Sequence, residues 1–164
     1  MELKTYEVKV WVSDIVIQEI FQEGRNKLPN ETGGVLVGYK TSDTEFVVTK
    51  IIGPGPKAIH RRSSFLPDQE FHEAEIAKVY LDSGCCETYI GDWHTHPYST
   101  AYLSGQDRST LRKIAKYKRA RISTPIMLVA APPQLVFKIW TYRNKRKCAS
   151  LFDEIFETHI NVYR

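Results

Sequence analysis

The chain has 164 residues, of which 42% are hydrophobic and 26% charged, so the sequence predicts one ordinary globular domain over residues 1–164. No apolar run approaches a membrane span, and the N-terminal segment lacks the apolar stretch of a signal peptide, which excludes a membrane role and favours a cytoplasmic protein. The net charge of +4 is a mild excess that does not by itself indicate a nucleic-acid partner.

Hydrophobic periodicity divides the first third of the chain into alternating strands and a helix. Ser13 suits the N-cap of that helix, and Pro29 and Asn30 end it. The predicted elements are a strand over Tyr6–Val12, a helix from Ser13 to about Lys27, a short strand over Val35–Val37 and a strand over Glu45–Ile52 that pairs with it as a hairpin.

The segment Gly53–Pro67 holds three prolines and two glycines, which predicts a loop or an interrupted strand. Asp68 then caps a second helix that Gly84 ends. The inward face of this helix is predicted to carry Phe71, Ala74, Ala77 and Leu81. The remaining predicted elements are a strand over Glu87–His96, a loop over Tyr98–Leu103, a helix from Ser104 to about Arg121, strands over Pro125–Ala130 and Leu135–Tyr142, and a terminal helix within residues 148–164.

Strands and helices alternate along the chain, with hairpins at both ends. This order predicts an α/β protein in which helices cover a mixed sheet. The three cysteines, Cys85, Cys86 and Cys148, are odd in number and include an adjacent pair, so we expect free thiols in a reducing compartment.

The positive charge is unevenly distributed, because residues 108–121 contain seven basic residues and no acidic one. A second basic cluster consists of Arg143, Lys145, Arg146 and Lys147. A solvated helix face is the simpler interpretation of such a run. The alternative is a contact surface for an acidic partner or a nucleic acid. No signature of a nucleic-acid-binding fold accompanies the segment, so nucleic acid is the lesser hypothesis.

The stretch GDWHTHPYSTAYLSGQD, residues 91–107, contains the chemistry-bearing residues. Side chains at i and i+2 of a strand share one face, so His94 and His96 can aim their imidazoles at one point. Two imidazoles and a carboxylate such as Asp107 form a three-ligand zinc set that leaves a fourth position open for water. An open position is typical of a catalytic zinc site rather than a structural one.

HTHP, then six residues, then S-x-x-D resembles the signature of the JAMM (MPN-plus) metallopeptidases. That family also has a glutamate after its first helix, a position that Glu31 in ETGGVLVGY matches. The resemblance implies a curved mixed sheet of the cytidine-deaminase-like type and one Zn²⁺ per chain, held by His94, His96 and Asp107. It implies further that Glu31 is the general base and that Ser104 donates a hydrogen bond to the developing oxyanion.

Ser104 has a second interpretation, because Ser104-x-x-Asp107 is also a helix capping pattern. The two roles are compatible, since a hydroxyl can accept one hydrogen bond while donating another. Trp93 and Tyr98 are expected to form packing and walls around the ligands. Three further histidines have no ligand-like partners in sequence and are expected to be structural or exposed: His60, His72 and His159.

Enzymes of the resembled family cut the bond after the C-terminal tail of ubiquitin or a ubiquitin-like protein. The segment Gly53–Pro67 is our candidate for one wall of the groove that would take such a tail. The compact chain is similar to stand-alone bacterial members, some of which lie in anti-phage CBASS operons and remove conjugates made by neighbouring conjugating enzymes. Two alternatives stay open, namely an inactive MPN scaffold and a nucleic-acid or nucleotide-binding module that uses the basic helix 108–121.

Overall fold

The computed structural model describes residues 7–143 and 154–164, and the bounds below refer to these residues. The helices are α1 (Asp14–Lys27), α2 (Gln69–Asp82) and α3 (Gly105–Lys116). The strands are β1 (Lys9–Ser13), β2 (Gly33–Ser42), β3 (Glu45–Ile52), β4 (Ile59–Arg61), β5 (Ser64–Leu66), β6 (Thr88–Thr95), β7 (Ile126–Ala131), β8 (Val136–Arg143), β9 (Glu154–Glu157) and β10 (His159–Tyr163). Within this part of the chain, no helix combines the length and apolar character needed to cross a membrane.

Eight of these strands form one mixed sheet, in the order β10-β1-β3-β2-β6-β7-β8-β9. The pairs β1–β10, β1–β3 and β6–β7 are parallel and the others are antiparallel. The predicted α/β class, a curved mixed sheet flanked by helices, is confirmed. The small remaining sheet is the β4–β5 hairpin, which lies inside the proline-rich segment where the sequence predicted a loop or an interrupted strand.

The predicted C-terminal helix is wrong, because the described part of the tail forms two strands. That prediction was based on the helical spacing of Leu151, Ile155 and Phe156, of which Leu151 lies outside the described residues. Only Thr158 separates β9 from β10, yet these strands pair with opposite edges of the sheet. The Thr158 N–H donates to the Ile139 carbonyl at 2.9 Å and the His159 N–H donates to the Val8 carbonyl at 3.3 Å. The tail therefore joins the two edges of the curved sheet.

The three helices cover the two faces of this sheet unequally. Along β7, Ile126 and Leu128 belong to the core cluster that includes α1, whereas Met127 and Val129 belong to the cluster around Leu111 of α3. Since alternate side chains of a strand point to opposite faces, α1 and α3 lie on opposite faces. The same alternation along β2 puts α2 on the face of α3, so α2 and α3 share one side of the sheet.

The start of α1 agrees with the sequence prediction, and two other helical details do not. The Ser13 hydroxyl accepts a hydrogen bond from the Ile15 N–H, and α1 ends at Lys27 as predicted. The predicted inward face of α2 is correct at Phe71, which packs against the core cluster that contains Val35 and Val37. It is wrong for the rest of the helix, because Ala74, Ala77 and Leu81 are exposed and the buried residue is His72. The helix α3 ends at Lys116 rather than near Arg121, which adopts a left-handed conformation after a short 3₁₀ turn.

A bulge in β6 shifts the alternation of the strand just before the histidines. In the pairing with β2, Leu36 faces Gly91 but Val37 faces Tyr89, so Ile90 is the extra residue. Ile90 and Trp93 consequently both point into the main core, which strict alternation would not allow. His94 lies on the opposite face from Trp93, toward α2 and α3.

Gly91 lies where the backbone of β6 closely approaches the backbone of the paired strand β7. A Cβ atom at this position would meet the Ile126 carbonyl oxygen, which is backbone and cannot rotate away. We expect Gly91→Ala to lower the free energy of unfolding by about 1–3 kcal/mol or more, because β6 and β7 must separate to admit the methyl group. Urea denaturation followed by circular dichroism measures this change.

Gly53→Ala is the matched control, since an added Cβ there has no heavy atom within 4 Å. Its free energy of unfolding should stay within about 0.5 kcal/mol of the wild type. Equal stability of the two variants would contradict the close approach of β6 to β7 at Gly91.

Candidate active site

The end of β6 brings two imidazoles together. His94 is in the strand and His96 follows it, with the His96 N–H donating to the Ala130 carbonyl at 2.8 Å so that the extended pairing with β7 continues. The Nε2 atoms of His94 and His96 are 3.1 Å apart. The i, i+2 spacing therefore aims both rings at one point on the α2/α3 side of the sheet.

The first turn of α3 adds a carboxylate to this pair. The Ser104 hydroxyl accepts from the Asp107 N–H at 3.1 Å, and the Ser104 N–H donates to Asp107 Oδ2 at 2.9 Å, which together make a capping box. Asp107 Oδ1 lies 3.3 Å from His94 Nε2, and Asp107 Oδ2 lies 3.7 Å from His96 Nε2. The helix cap thus fixes the carboxylate beside both rings.

The electrostatics of this trio favour an ionised Asp107 carboxylate and a neutral His96 ring. Burial alone would raise the pKa of Asp107, but hydrogen bonds from His94 and Ser104 hold that pKa well below its usual range. Burial lowers the pKa of His96, and neighbouring His94 lowers it further while Asp107 acts in the opposite direction. Neutral imidazole and ionised carboxylate are the forms that bind metal ions.

The trio fits a divalent metal ion. One ligand atom from each of His94, His96 and Asp107 lies within 4.8 Å of the other two. Ligand atoms bonded to zinc at about 2.0–2.1 Å in a tetrahedron are roughly 3.3 Å apart. The contacts of 3.1, 3.3 and 3.7 Å bracket this value. Two imidazole nitrogens and one carboxylate oxygen are also a donor set that zinc accepts.

Glu31 lies in the connection between α1 and β2, and its side chain lines the same cavity as the trio. The next residue is tied to β6, because the Thr32 N–H donates to Thr95 Oγ1 at 3.1 Å and the Thr95 N–H donates to the Thr32 carbonyl at 2.9 Å. Burial raises the pKa of Glu31, with His94 lowering it and Asp107 raising it. The carboxyl group is therefore disposed to accept and hold a proton.

The cavity over these residues measures about 550 Å³. Part of the predicted wall segment lines it, namely residues 62–65 and Pro67 around the β4–β5 hairpin. Tyr98, 66% exposed, and Tyr102 line it beside the histidines. Trp93 also contributes to the lining, but its ring is buried in the core and its Nε1–H donates to the Ile52 carbonyl at 3.3 Å.

Asp92 is a site residue that the sequence reasoning missed. It precedes His94 by two residues, so strand alternation alone could have placed it on the same face. It lines the cavity, accepts a hydrogen bond from the Tyr89 hydroxyl at 2.8 Å, and has its pKa raised by burial.

The three histidines that were expected to be structural or exposed differ from one another. His72 is buried, lines the cavity, and its Nε2 lies 2.7 Å from the Gly53 carbonyl. His159 is exposed on β10. His60 of β4 has its Nδ1 only 3.0 Å from the Glu31 carbonyl oxygen, a contact that no sequence pattern predicted.

The basic segment 108–121 continues from the first turn of α3 to the opposite end of the sheet. Its exposed residues include Lys113, Lys116, Lys118, Arg119 and Arg121. Cys85 and Cys86 are exposed and free of disulfides, and Cys148 lies outside the described residues. For the basic segment 108–121, both interpretations, a solvated helix face and a contact surface for a partner, stay predictions.

Comparison with known proteins gives a consistent picture. The family model described as prokaryotic homologs of the JAB domain matches residues 13–142. A "probable metalloprotease" of Sinorhizobium fredii is 35% identical over 156 residues, which are 93% of this chain and 94% of that protein. A "CD-NTase/cGAS isopeptidase" of Vibrio cholerae is 27% identical over 128 residues, covering 78% of this chain and 76% of the relative.

A structural comparison agrees with the sequence comparisons at the level of the fold. The solution structure of protein DSY2949 from Desulfitobacterium hafniense superposes with a TM-score of 0.67 at 19% identity, covering 94% of this chain and 92% of the other. The family model spans both the segment that contains Glu31 and the segment from His94 to Asp107. From the family match and the extent of the S. fredii alignment we conclude that the chain belongs to the family of prokaryotic homologues of the JAB domain.

Proposed function

We propose that this chain is a zinc-dependent isopeptidase that hydrolyses the bond after the C-terminal tail of a ubiquitin-like protein or of its conjugate. The observation that carries the proposal is the convergence of His94, His96 and Asp107 in a cavity that Glu31 and Ser104 also line. The names of the relatives, a metalloprotease and an isopeptidase, support the same class of reaction.

In this proposal the protein residues divide the chemistry among them. When bound at the trio, a zinc ion would act as a Lewis acid that polarises the scissile carbonyl and acidifies water. The Glu31 carboxylate takes a proton from the attacking water and delivers it to the leaving amine. The raised pKa of Glu31 supports this role, because a carboxyl group that holds its proton more tightly is a better carrier between the two sites.

Ser104 is assigned to the oxyanion that develops during attack. Its oxygen accepts the Asp107 N–H, and this bond leaves the hydroxyl hydrogen available for donation into the cavity. A donor already fixed by a helix cap does not have to reorganise during the reaction, which is the condition under which such donors contribute most.

The β4–β5 hairpin supports an extended tail as the substrate. Among the described strands, β5 pairs only with β4, so its other edge is available to accept a peptide by strand addition. Ser64 and Phe65 of β5 line the cavity, so a tail along this edge would lead to the metal trio. The relatives named as CD-NTase/cGAS isopeptidases support an isopeptide-linked conjugate as the substrate class. An anti-phage system with operon-encoded conjugating enzymes as partners is the finer part of this proposal and rests on the family resemblance alone.

Two rival functions make different demands on the same residues. An inactive scaffold would need none of the trio, whereas this chain retains two histidines, the aspartate and the glutamate in one cavity. A nucleic-acid or nucleotide-binding module would use the exposed cations of residues 113–121, and its affinity would fall steeply with salt. Neither rival accounts for a potential ligand set beside a half-buried glutamate.

The first prediction concerns metal content. Purified protein should contain about one zinc ion per chain, and His94→Ala and Asp107→Asn should each lose most of it, because each removes one of three ligands. Asn at position 107 retains an oxygen that can accept the Ser104 N–H, so the helix cap is preserved. Elemental analysis of folded protein measures the loss.

His159→Ala is the control for metal content, since His159 is an exposed histidine on β10 and does not line the cavity. It should retain the zinc content of the wild type. Full zinc occupancy in both His94→Ala and Asp107→Asn would contradict the assignment of the ligands.

The second prediction separates proton transfer from metal binding. Glu31→Gln should keep zinc and the fold but reduce kcat by about 10²–10⁴-fold, because an amide cannot accept the proton. Cleavage of a linear fusion between a ubiquitin-like protein and a reporter measures kcat. Glu45→Gln, which changes a surface carboxylate on β3, should leave kcat unchanged. A Glu31→Gln enzyme as fast as the wild type would require another base.

The third prediction separates the two roles of Ser104. Ser104→Ala should lower stability by about 1 kcal/mol, because the cap is lost, and kcat by about 10²-fold or more, because the oxyanion donor is lost. Ser104→Thr retains a hydroxyl for both roles and should keep clearly more activity at equal zinc content. If Ser104→Ala lost thermal stability alone and kept the wild-type kcat, Ser104 would be only a helix cap.

A further inference from the structure

The β4–β5 hairpin is attached to the backbone of Glu31 at two points. The Glu31 N–H donates to the Arg61 carbonyl at 2.7 Å. The Nδ1 atom of His60 lies 3.0 Å from the Glu31 carbonyl oxygen. A carbonyl oxygen can only accept, so the proton of this second hydrogen bond is on Nδ1 of His60. Both polar groups of the Glu31 peptide backbone are therefore bound by consecutive residues of β4.

The ring of His60 is itself held in place. Its cross-strand partner is Phe65 of β5, and the two ring centroids are 5.4 Å apart. Phe65 in turn packs against Gly33, where an added Cβ would come within 2.9 Å of the Phe65 ring. The hairpin thus packs against the segment that leads from Glu31 into β2. The contact with Phe65 supports the orientation of the His60 ring.

The opposite side of the same segment is bound to β6. Thr32 and Thr95 are joined by three hydrogen bonds, of 3.1, 2.9 and 3.5 Å, next to His94 and His96. Glu31 therefore lies between one anchor on the metal-binding strand and another on the hairpin.

From these contacts we propose that His60 is a positioning residue, which holds the Glu31 backbone through its Nδ1–H so that the carboxylate faces the trio. This inference rests on the proposed role of Glu31 as general base. His60 does not line the cavity, so it acts through Glu31 and not through substrate. The hairpin then has two functions, because it lines the substrate groove with one strand and orients the base with the other.

The experiment compares His60→Ala with His60→Asn. Asparagine carries its amide nitrogen at the same number of bonds from the backbone as Nδ1 of histidine, so it can donate to the same carbonyl. We expect His60→Ala to lower kcat about tenfold or more, the usual size for residues that orient a reactive group, with KM and zinc content unchanged. His60→Asn should recover most of the lost kcat.

Ile59→Ala is the matched control within β4. Ile59 precedes His60 and so points to the other face of the hairpin, and it does not line the cavity. It should keep the wild-type kcat. The double variant Glu31→Gln/His60→Ala should be no slower than Glu31→Gln alone, because His60 has nothing to position once the base is absent.

The outcomes separate this inference from the proposed function. A wild-type kcat in His60→Ala, with Glu31→Gln inactive, would overturn the positioning role and leave the general base intact. A loss of kcat that His60→Asn does not recover, together with a lower melting temperature, would also overturn it in favour of a structural role. Full activity of Glu31→Gln would instead overturn the proposed function itself.

Discussion

The site depends on the backbone pairing of β6 with β2 on one side and with β7 on the other. The first pairing sets His94 opposite Gly33 and so brings the Glu31 connection alongside the histidines. The second sets His94 opposite Val129 and extends to His96 through the Ala130 carbonyl. Glycines at the points of closest approach between these paired strands let the backbones come close together. The site geometry is therefore determined by main-chain contacts more than by side-chain packing.

Asp107 both caps α3 and lies beside the two imidazoles, and these two sets of contacts together constrain the cavity. Its carboxylate accepts the Ser104 N–H, which starts α3, and it also lies beside both imidazoles. A helix N-terminus favours negative charge, so the cap keeps the carboxylate ionised and oriented before any ion binds. The position of α3 on the sheet and the position of the Asp107 carboxylate beside the two imidazoles are consequently set by the same contacts.

The sequence was informative where the determinants are local. Helix capping at Ser13 and the i, i+2 histidines follow from neighbouring residues alone, and both are found as predicted. The tail and α2 depend on distant partners. The apolar residues of the tail suit a strand as well as a helix, and the open edges of β1 and β8 select the strand. His72 likewise contacts Gly53, and His60 contacts Glu31, in a different segment of the chain. Hydrophobic periodicity describes one segment at a time, so it cannot predict contacts between segments.

Residues 154–163 provide both edge strands of the sheet, and this has a consequence for how the protein is made. Translation delivers β1 first, but its outer neighbour β10 leaves the ribosome only after every other strand described here. Until β9 and β10 have emerged, the nascent chain therefore leaves the edges of β1 and β8 without the strands that pair with them in the folded protein. Open edges are templates for intermolecular pairing. Ribosome stalling before residue 154 would yield a fragment that contains His94 and His96 but lacks the partner strands of both β1 and β8, and we expect this fragment to aggregate.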